Sequence, residues 1–406
     1  MKKLLFFCRY SLPGDDHSFT FPSSIAAERK IDGICNSLYG AGILPILFLT
    51  PSAPCVGLWQ PARVLRSDNR VFVIPCSTNI FGNRILSYIA NTFIAAIFSV
   101  RFVSGKNIFA SMIYNMMPDT AIPAMVLRFF YNDRPQIFDF EEEISEDHEA
   151  PKIFRWFDSF FRKKFFFDAA LLSASRLKTS VFASEYALFH GFTTASEIDV
   201  AYRVSEMNLS LDSLGESRIR ISFIGRLDSM RCITEFLDAV KNLAKQQLHV
   251  SISVVGYCND GALLAHIKSE VEIIQKLVPI TLSVSVPREE VVQALAESDI
   301  CVSLVKDATF LERSFPSKLV EYLLFNCVVV SQYVYDLRDV DNFVWIPTAS
   351  RDDVLTGLTQ ALHKVRDCQQ PLFNGREWVQ ANCTTASGSQ RFTKLFADIA
   401  ESKINV

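Results

Sequence analysis

The sequence has no closely spaced cysteines, no excess of either charge and no internal repeat. Its ten cysteines are scattered over 406 residues, so the spacing that marks a zinc site or a CxxC redox motif is absent. With 41 Lys plus Arg against 44 Asp plus Glu, no electrostatic argument favours nucleic acid as a partner. Several cysteines lie in strand-like runs, where a reduced thiol acts as a small apolar residue. We therefore expect a cytoplasmic protein.

Long apolar runs are also scarce. The N-terminal MKKLLFFCRY reaches Arg9 too soon for a signal peptide and is better interpreted as a first strand. The most apolar segment, Ile85 to Val100, is shorter than the roughly 18 residues needed to cross a bilayer. The sequence thus predicts no membrane span.

From Arg218 onward, short β-branched runs alternate with helix-length amphipathic segments. The runs are RIRISFIG, HVSISVVG, ITLSVSV, ICVSLV and CVVVSQ. This alternation is typical of a parallel sheet with helices on both faces. The first half shows a looser version, with KKLLFFC, ILPILFLT, RVFVIPC, KNIFASM and PQIFDFE. The predicted fold class is α/β, with two Rossmann-like doubly wound domains.

The predicted domain boundary follows from a change of composition. Between Tyr202 and Arg218 the apolar periodicity is lost and Ser, Asp and Gly accumulate. We place an N-terminal domain at 1–205, a C-terminal domain at 206–380, and a C-terminal helix at 381–406 that packs back towards the N-terminal domain. Two such domains would leave a cleft at the carboxyl ends of both sheets, where doubly wound folds bind ligands.

A first candidate binding segment is FIGRLDSMRCITEFL, in which a strand ends at Gly225. Arg226 follows at once, and Arg231 lies five residues further, at the start of a helix. Glycine lets a backbone approach a ligand, and two guanidinium groups near a helix start can bind an oxyanion such as diphosphate. The alternative is an ordinary strand-to-helix turn with two solvated arginines.

A second candidate segment is ERSFPSKLVEYLLFN. Pro316 suits a first helical position, which leaves the next amides, of Ser317, Lys318 and Leu319, available to an anion. Glu321 follows within an apolar helix, where an unpaired carboxylate is costly. We expect it to bind a ribose diol. A structural Lys318–Glu321 pair is the alternative.

Three segments in order resemble the C-terminal donor domain of the GT-B glycosyltransferases, specifically the retaining glycosyltransferase family 4 group (glycosyl transferases group 1). They are FIGRLDSMRCITEFLDAV, VPREEVVQALAESDICVSLV and FPSKLVEYLLFNCVVVS, within Arg218 to Pro347. The resemblance implies a GT-B fold and a nucleotide-sugar donor bound mostly to the C-terminal domain. We predict no cofactor besides this substrate and no tightly bound metal.

The same resemblance assigns roles to individual residues. Arg226 and Arg231 would contact the donor diphosphate, with Arg231 where the family usually has lysine. Glu321 would bind the ribose, and the base would lie near Val286 and Pro287. The full set of implied donor residues is Gly225, Arg226, Arg231, Val286, Pro287, Ser317, Lys318, Leu319 and Glu321, and the implied catalytic residues are Arg226, Arg231, Lys318 and Glu321.

One position departs from the family pattern. The family commonly has a second glutamate eight positions before the Glu321 site, and here that residue is Arg313, with Glu312 one step out of register. Either Glu312 reaches in through a shifted loop, or this branch lacks that acid, or activity has been lost. The last case would leave a silent GT-B subunit that binds a glycan or a partner transferase. A sugar-nucleotide epimerase would need a dense acid/base set, which the sequence does not show.

Two N-terminal loops are candidates for the acceptor side. IFDFEEEISEDHE places Asp139 and Glu141 after a strand, where family members often carry acidic residues; a solvated acidic loop is the alternative. CRYSLPGDDHSF places Asp16 and His17 where family enzymes have a Gly-rich loop. An inverting reaction would need a general base, for which Asp16, His17 and Glu141 are candidates.

Two further patterns concern metal and membrane binding. DVD at Asp339 to Asp341 is a three-letter match to the metal-holding aspartates of another glycosyltransferase fold, and we interpret it as a loop. FRWFDSFFRKKFFFD, at 154–168, interleaves aromatic and basic residues, which favours contact with an anionic membrane over core packing alone. The predicted protein is a cytoplasmic glycosyltransferase of bacterial surface polysaccharide assembly, peripheral on the membrane, acting on a glycan or lipid-linked acceptor.

Overall fold

The computed structural model describes two compact units of the chain. One comprises Met1–Phe192 with Cys383–Val406 and is called the N-terminal unit; the other, Thr193–Asn382, is called the C-terminal unit. The boundary predicted at 205 lies outside the described residues. Those residues are 1–8, 10, 25–50, 59–80, 82–114, 118–131, 136–139, 180–181, 218–246, 249–306, 311, 316–334, 337–367 and 374–404.

The N-terminal unit alternates strands and helices from its first residues. Its described elements are β1 (Lys2–Phe7), α1 (Ile25–Gly40), β2 (Ile43–Phe48), β3 (Trp59–Gln60), β4 (Arg63–Arg66), β5 (Val71–Ile74), β6 (Ser77–Thr78), α2 (Arg84–Val103), β7 (Ile108–Tyr114), α3 (Pro118–Phe130), β8 (Gln136–Asp139) and β9 (Ser180–Val181). Seven strands form one sheet in the order β4-β5-β2-β1-β7-β8-β9. Its pairs are parallel except β4 with β5.

The central strand β1 is apolar on both faces because both faces are covered. Leu4 and Phe6 belong to an apolar cluster with residues of α1, such as Ile34. Leu5 and Phe7 point the other way, into a cluster with residues of α2 and α3. A strand buried on both sides has a continuous apolar run, which is why KKLLFF predicted it correctly.

Helix α2 corrects one argument made from the sequence. It runs over 20 residues, with the side chain of Asn83 accepting hydrogen bonds from the amides of Ile85 and Leu86. The described part of the chain contains one helix that is long enough and apolar enough to cross a membrane, and this helix is Ile85–Val103. The argument that this segment is too short is therefore wrong, because the helix continues past Val100. One of its faces nonetheless packs inside the unit, through Ala95 and Phe102.

The C-terminal unit contains the remaining strands and most of the remaining helices. They are β10 (Ile219–Arg226), a 3-10 helix (Ser229–Arg231), α4 (Ile233–Ala244), β11 (Val250–Tyr257), α5 (Gly261–Gln275), β12 (Ile280–Val284), α6 (Arg288–Ala296), β13 (Ile300–Ser303), α7 (Ser317–Leu324), β14 (Val328–Gln332), β15 (Phe343–Ile346), α8 (Arg351–Asp367) and α9 (Gly375–Asn382). The last helix, α10 (Thr385–Ile404), belongs to the N-terminal unit. There Phe392 and Phe396 join the cluster that contains Ile34 of α1.

The sheet of the C-terminal unit determines where a ligand can bind. Its six strands are parallel in the order β12-β11-β10-β13-β14-β15. The chain moves outward from β10 to β12 and then returns to β13 on the other side of β10. This reversal is a topological switch point, and doubly wound folds bind ligands at the carboxyl ends of the strands beside such a point. The α/β prediction with doubly wound parallel sheets is confirmed.

Candidate functional site

The loops that follow β10 and β13 meet at the switch point of the C-terminal unit. The amide of Lys306, after β13, donates to the carbonyl of Met230, after β10, over 2.9 Å. Helix α7 joins them because the buried hydroxyl of Tyr322 donates to the carbonyl of Ile224 over 2.7 Å. The two candidate segments, which are about 90 residues apart in sequence, are thus brought to one edge of one sheet.

Gly225 ends the buried part of β10 in a conformation that favours glycine. Its φ is +148°, and a Cβ built on it would meet no atom within 4 Å. Its register partner Gly256 is different, because a Cβ there would strike the carbonyl of Gly225. The pair leaves bare backbone at the strand end, with open space beside Gly225, as a closely approaching ligand requires.

Arg226 and Arg231 are arranged by one carboxylate that the sequence analysis did not select. Arg226 Nε lies 2.6 Å from Asp228 Oδ2, and about half of the Arg226 side chain is exposed. Asp228 Oδ1 also accepts from the amide of Arg231 over 2.9 Å and caps the 3-10 helix. Asp228 therefore fixes both the first guanidinium group and the turn that carries the second.

The start of α7 differs in detail from the sequence prediction. Pro316 is the N-cap residue rather than the first helical residue. The amide of Leu319 donates to the Pro316 carbonyl over 2.9 Å, so it is not available to an anion, and that expectation is wrong. Leu319 is instead a buried apolar residue. The amides of Ser317 and Lys318 lie in the first turn, where a helix provides no acceptor of its own.

Glu321 is not the unpaired carboxylate that its apolar neighbours suggested. Lys318 Nζ lies 2.8 Å from its Oε2, and Arg288 contacts both of its oxygens, with Nη2 at 3.1 Å from Oε1 and Nη1 at 3.3 Å from Oε2. A quarter of the Glu321 side chain is exposed. The structure therefore contains the Lys318–Glu321 pair that was the alternative interpretation, with a second cation added.

The same cluster decides the protonation of Glu321. Burial raises the pKa of this carboxyl, but the nearby charges and hydrogen bonds of Lys318 and Arg288 outweigh it, and the net pKa is lowered. Glu321 is therefore ionised at neutral pH. A carboxylate has about four acceptor positions, and the two cations make three contacts with them, so Glu321 has less capacity left for the hydroxyls of a ribose diol than an unpaired carboxylate would have.

Arg288 is the main site residue that sequence reasoning missed. It begins α6 directly after Pro287, the helix N-cap. Its Nε is buried and has no hydrogen-bond acceptor among the described residues. Its position in the sequence was a usable indication, because Arg288 directly follows the predicted base-binding pair Val286 and Pro287. The contact with Glu321 could not be predicted, because the two residues are 33 positions apart.

Other predicted site residues are only partly described. Val286 is half-buried and Pro287 exposed, just before Arg288. Asp139 is the last residue of β8, paired in register with Tyr114. The side chain of Ser317 is not described. The residues Asp16, His17, Glu141, Glu312 and Arg313, and the segment 154–168, lie outside the described residues.

The DVD segment forms part of a loop fixed by Asn374. The side chain of Asn374 accepts from the Asp341 amide over 2.9 Å and donates to the Asp339 carbonyl over 3.2 Å. Asp339 pairs with Arg338. No group of three His, Cys, Asp or Glu residues that could hold a metal occurs among the described side chains.

Comparison with known proteins supports the assignment of the C-terminal unit. Residues 218–364 match the family model described as Glycosyl transferases group 1. A comparison with curated protein sequences found no match. The predicted resemblance over Arg218 to Pro347 is confirmed by the family model; membership of family 4 in particular stays a prediction.

Solved structures resemble the whole chain. A glycosyltransferase from Rickettsia africae ESF-5 is 12% identical, with 98% of each chain covered and a TM-score of 0.61. An α,α-trehalose-phosphate synthase (UDP-forming) from Burkholderia vietnamiensis is 12% identical over 99% of this chain and 97% of that one, with a TM-score of 0.63. The Anabaena protein HepE, in complex with UDP and glucose, is 12% identical over 98% of this chain and all of its own, with a TM-score of 0.56.

At this level of identity the likeness establishes the fold, and the predicted GT-B fold is confirmed. Residues 218–364 thus match the glycosyl transferases group 1 model, and the whole chain has the fold of solved glycosyltransferases.

Proposed function

We propose that the protein transfers a sugar from a nucleotide-sugar donor to a glycan or lipid-linked acceptor in bacterial surface polysaccharide assembly, with retention of configuration. The observation that carries this proposal is the cluster of Arg288, Lys318 and Glu321, held beside the glycine end of β10 in the domain that matches glycosyl transferases group 1. Cations, first-turn amides and bare backbone at one sheet edge suit a nucleoside diphosphate.

In this proposal the donor diphosphate lies between the β10 loop and the start of α7. Arg226, Arg231 and Lys318 bind its oxygens, and Gly225 lets the phosphate approach the backbone. Glu321 keeps Lys318 and Arg288 in position and accepts one ribose hydroxyl. The buried Nε of Arg288, which has no acceptor among the described residues, is a donor that the bound nucleotide can satisfy.

The proposed chemistry needs charge stabilisation more than a protein base. The bond between the anomeric carbon and the phosphate oxygen breaks, and its electron pair leaves with the nucleoside diphosphate. The acceptor hydroxyl bonds to the anomeric carbon from the same face and gives its proton to the leaving phosphate. Arg226, Arg231 and Lys318 stabilise the negative charge that develops on that phosphate. The proposal includes no metal and no further cofactor.

For the donor base, we propose uridine as the first to test, because two similar structures are described as UDP-forming or UDP-bound. We place the protein in the cytoplasm, peripheral on the inner face of the membrane, where a lipid-linked acceptor is available. The basic aromatic segment at 154–168 supports that location through its sequence alone.

The deciding experiment is a hydrolysis screen of the purified protein against UDP-, GDP-, ADP- and CMP-sugars, with and without EDTA. We expect slow release of one nucleotide, unchanged by EDTA and abolished in a Lys318→Ala variant. A protein that binds nucleotide but releases none with any donor, even with membrane extract as acceptor, would instead be the silent subunit.

A further inference from the structure

Helix α2 has an inverted distribution of polar and apolar side chains. Asn91 and Ser99 are fully buried, whereas Ile89, Phe93 and Ile97 are 45%, 58% and 70% exposed. A helix on the surface of a water-soluble protein normally buries the apolar side and exposes the polar one. This reversal indicates that the outer side of α2 meets an apolar medium.

The rotation of α2 about its axis is fixed by its buried polar groups. Asn91 Oδ1 accepts from the amide of Thr78 over 2.7 Å. Ser87 Oγ accepts from the amide of Ile80 over 2.9 Å. Because these contacts satisfy backbone donors inside the unit, turning the helix to hide its apolar side would leave buried polar groups without partners.

The exposed apolar residues form one continuous stripe. Ile85, Ile89, Phe93 and Ile97 follow one another at intervals of four, with Leu86 beside them, and these five residues are called the α2 face. Residues four apart lie on the same side of a helix. The next position in the series is Arg101, which is exposed.

The end of helix α3 extends this surface. Phe129 and Phe130 are 83% and 61% exposed. The hydroxyl of Tyr131, the next residue, donates to the carbonyl of Val100 over 3.5 Å, which places this end of α3 level with Arg101. Exposed aromatic rings are typical of side chains at the boundary between lipid tails and headgroups.

The charge of the region favours an anionic lipid surface over a protein partner. No Asp or Glu occurs between Asp68 and Asp119, a stretch that includes all of α2. Lys106, just after the helix, is exposed, and its Nζ lies 3.4 Å from the centre of the Phe102 ring. Asp119 contacts Tyr88 of α2 over 3.2 Å, but it is fully buried and so lies away from the exposed stripe. An apolar stripe in a stretch of sequence without acidic residues, with cations at one end, complements a negatively charged bilayer.

We propose that the α2 face, with Phe129 and Phe130, lies in the headgroup region of an anionic bilayer with the helix axis along the membrane plane. The helix does not span the bilayer, because its other face is part of the apolar cluster that includes Ala95 and Phe102. The residues of this membrane site are different from those of the segment at 154–168, and the proposal does not depend on which sugar is transferred.

Flotation of the full chain with vesicles of phosphatidylcholine plus phosphatidylglycerol tests this site. A variant with Ile89, Phe93 and Ile97 all changed to Gln should bind the vesicles at least about tenfold more weakly than the wild type. The Arg101→Gln variant should show a smaller loss of vesicle binding, mainly on anionic vesicles. The matched control is Ile273→Gln with Leu277→Gln, which alters exposed apolar residues of the C-terminal unit and should float like the wild type. Circular dichroism confirms that each variant is folded.

Each other outcome overturns the proposal. Undiminished flotation of the triple variant means that another surface holds the membrane, and loss of flotation only when Arg162, Lys163 and Lys164 are changed to Gln assigns it to the segment at 154–168. Absence of vesicle binding, together with a concentration-dependent dimer that the triple variant loses, means that a second copy covers the α2 face.

Discussion

The hydroxyl of Tyr322 donates a hydrogen bond to the carbonyl of Ile224, two residues that are 98 positions apart in the chain. Ile224 immediately precedes Gly225, and Tyr322 immediately follows Glu321. This one bond therefore sets the distance between the glycine end of β10 and the carboxylate cluster of α7. Burial, with the nearby negative charge of Glu321, raises the pKa of the Tyr322 hydroxyl well above its usual range, so it remains a donor.

Removing that hydroxyl should loosen the site. In Tyr322→Phe the Ile224 carbonyl loses a buried partner, and we expect the free energy of unfolding to fall by about 1–2 kcal/mol. Nucleotide affinity should fall as well, because α7 is no longer tied to β10. Denaturant titration and calorimetry measure the two effects. Tyr39→Phe, at an exposed residue of α1 in the N-terminal unit, is the control and should change neither; an unaltered stability of Tyr322→Phe would contradict the role given to this bond.

The phosphate site can be tested against a control arginine that closely matches Arg226 in exposure and pairing. Arg226→Ala and Lys318→Ala should each weaken binding of the nucleoside diphosphate by about 1.5–3 kcal/mol, the usual value of a charge-assisted hydrogen bond. Arg351 of the same unit is exposed to the same extent as Arg226, 54%, and also pairs with a nearby aspartate. Arg351→Ala should therefore leave affinity unchanged. Equal affinities of all three folded variants and the wild type would reject the assignment.

Gly225 should be sensitive to the smallest side chain for a conformational reason. Its φ of +148° is unfavourable for alanine although the space beside it is open, so we expect Gly225→Ala to lose roughly 1 kcal/mol or more of stability. If the donor phosphate uses that space, affinity falls too. Gly261 also has open space but no positive φ, and Gly261→Ala should be neutral in both measurements. Identical stability of the two variants would mean that the Gly225 backbone adapts.

Much of the fold could be predicted because its pattern is local. Strands such as Ile43–Phe48 are buried on both faces, so their sequences are continuous apolar runs, and helices such as Ile233–Ala244 show one apolar side. The sequence analysis missed several elements, among them α3, α8 and β15. Phe343–Ile346 is only four residues long, and an apolar run this short does not show whether the segment is a strand or a loop.

The site was predictable in part, for a different reason. A glycine at a strand end and cations at helix starts can be recognised in a sequence, so Gly225, Arg226 and Lys318 were predicted as site residues. The partners of those residues are long-range contacts that no local pattern encodes. Arg288 reaches Glu321 from another helix, and this contact turned an apparently isolated carboxylate into a paired one.

The pairing of Glu321 changes what its substitution should do. If Glu321 were unpaired, the Glu321→Gln variant would be as stable as the wild type or slightly more stable. Because Glu321 pairs with Lys318 and Arg288, we expect the free energy of unfolding to fall by about 1 kcal/mol, between the values of exposed and buried ion pairs. The folded pKa of Glu321 is lowered, so its contribution is complete above the carboxyl's ordinary pKa and is lost as pH falls through the folded value. The stability difference between wild type and variant should therefore persist at neutral pH and shrink in acid.

Nucleotide analogues separate a structural role of Glu321 from a contact with ribose. We expect Glu321→Gln to bind UDP more weakly than the wild type, and the two proteins to bind deoxyribose analogues of UDP with more nearly equal affinity, because the hydroxyl that Glu321 accepts is then missing. Glu270→Gln is the control, since Glu270 is a partly buried carboxylate paired with Lys241 in the same unit; it should lose stability without losing affinity. If Glu321→Gln behaves in the same way as Glu270→Gln, Glu321 only holds Lys318 and Arg288 in place, and the ribose must be bound by other residues.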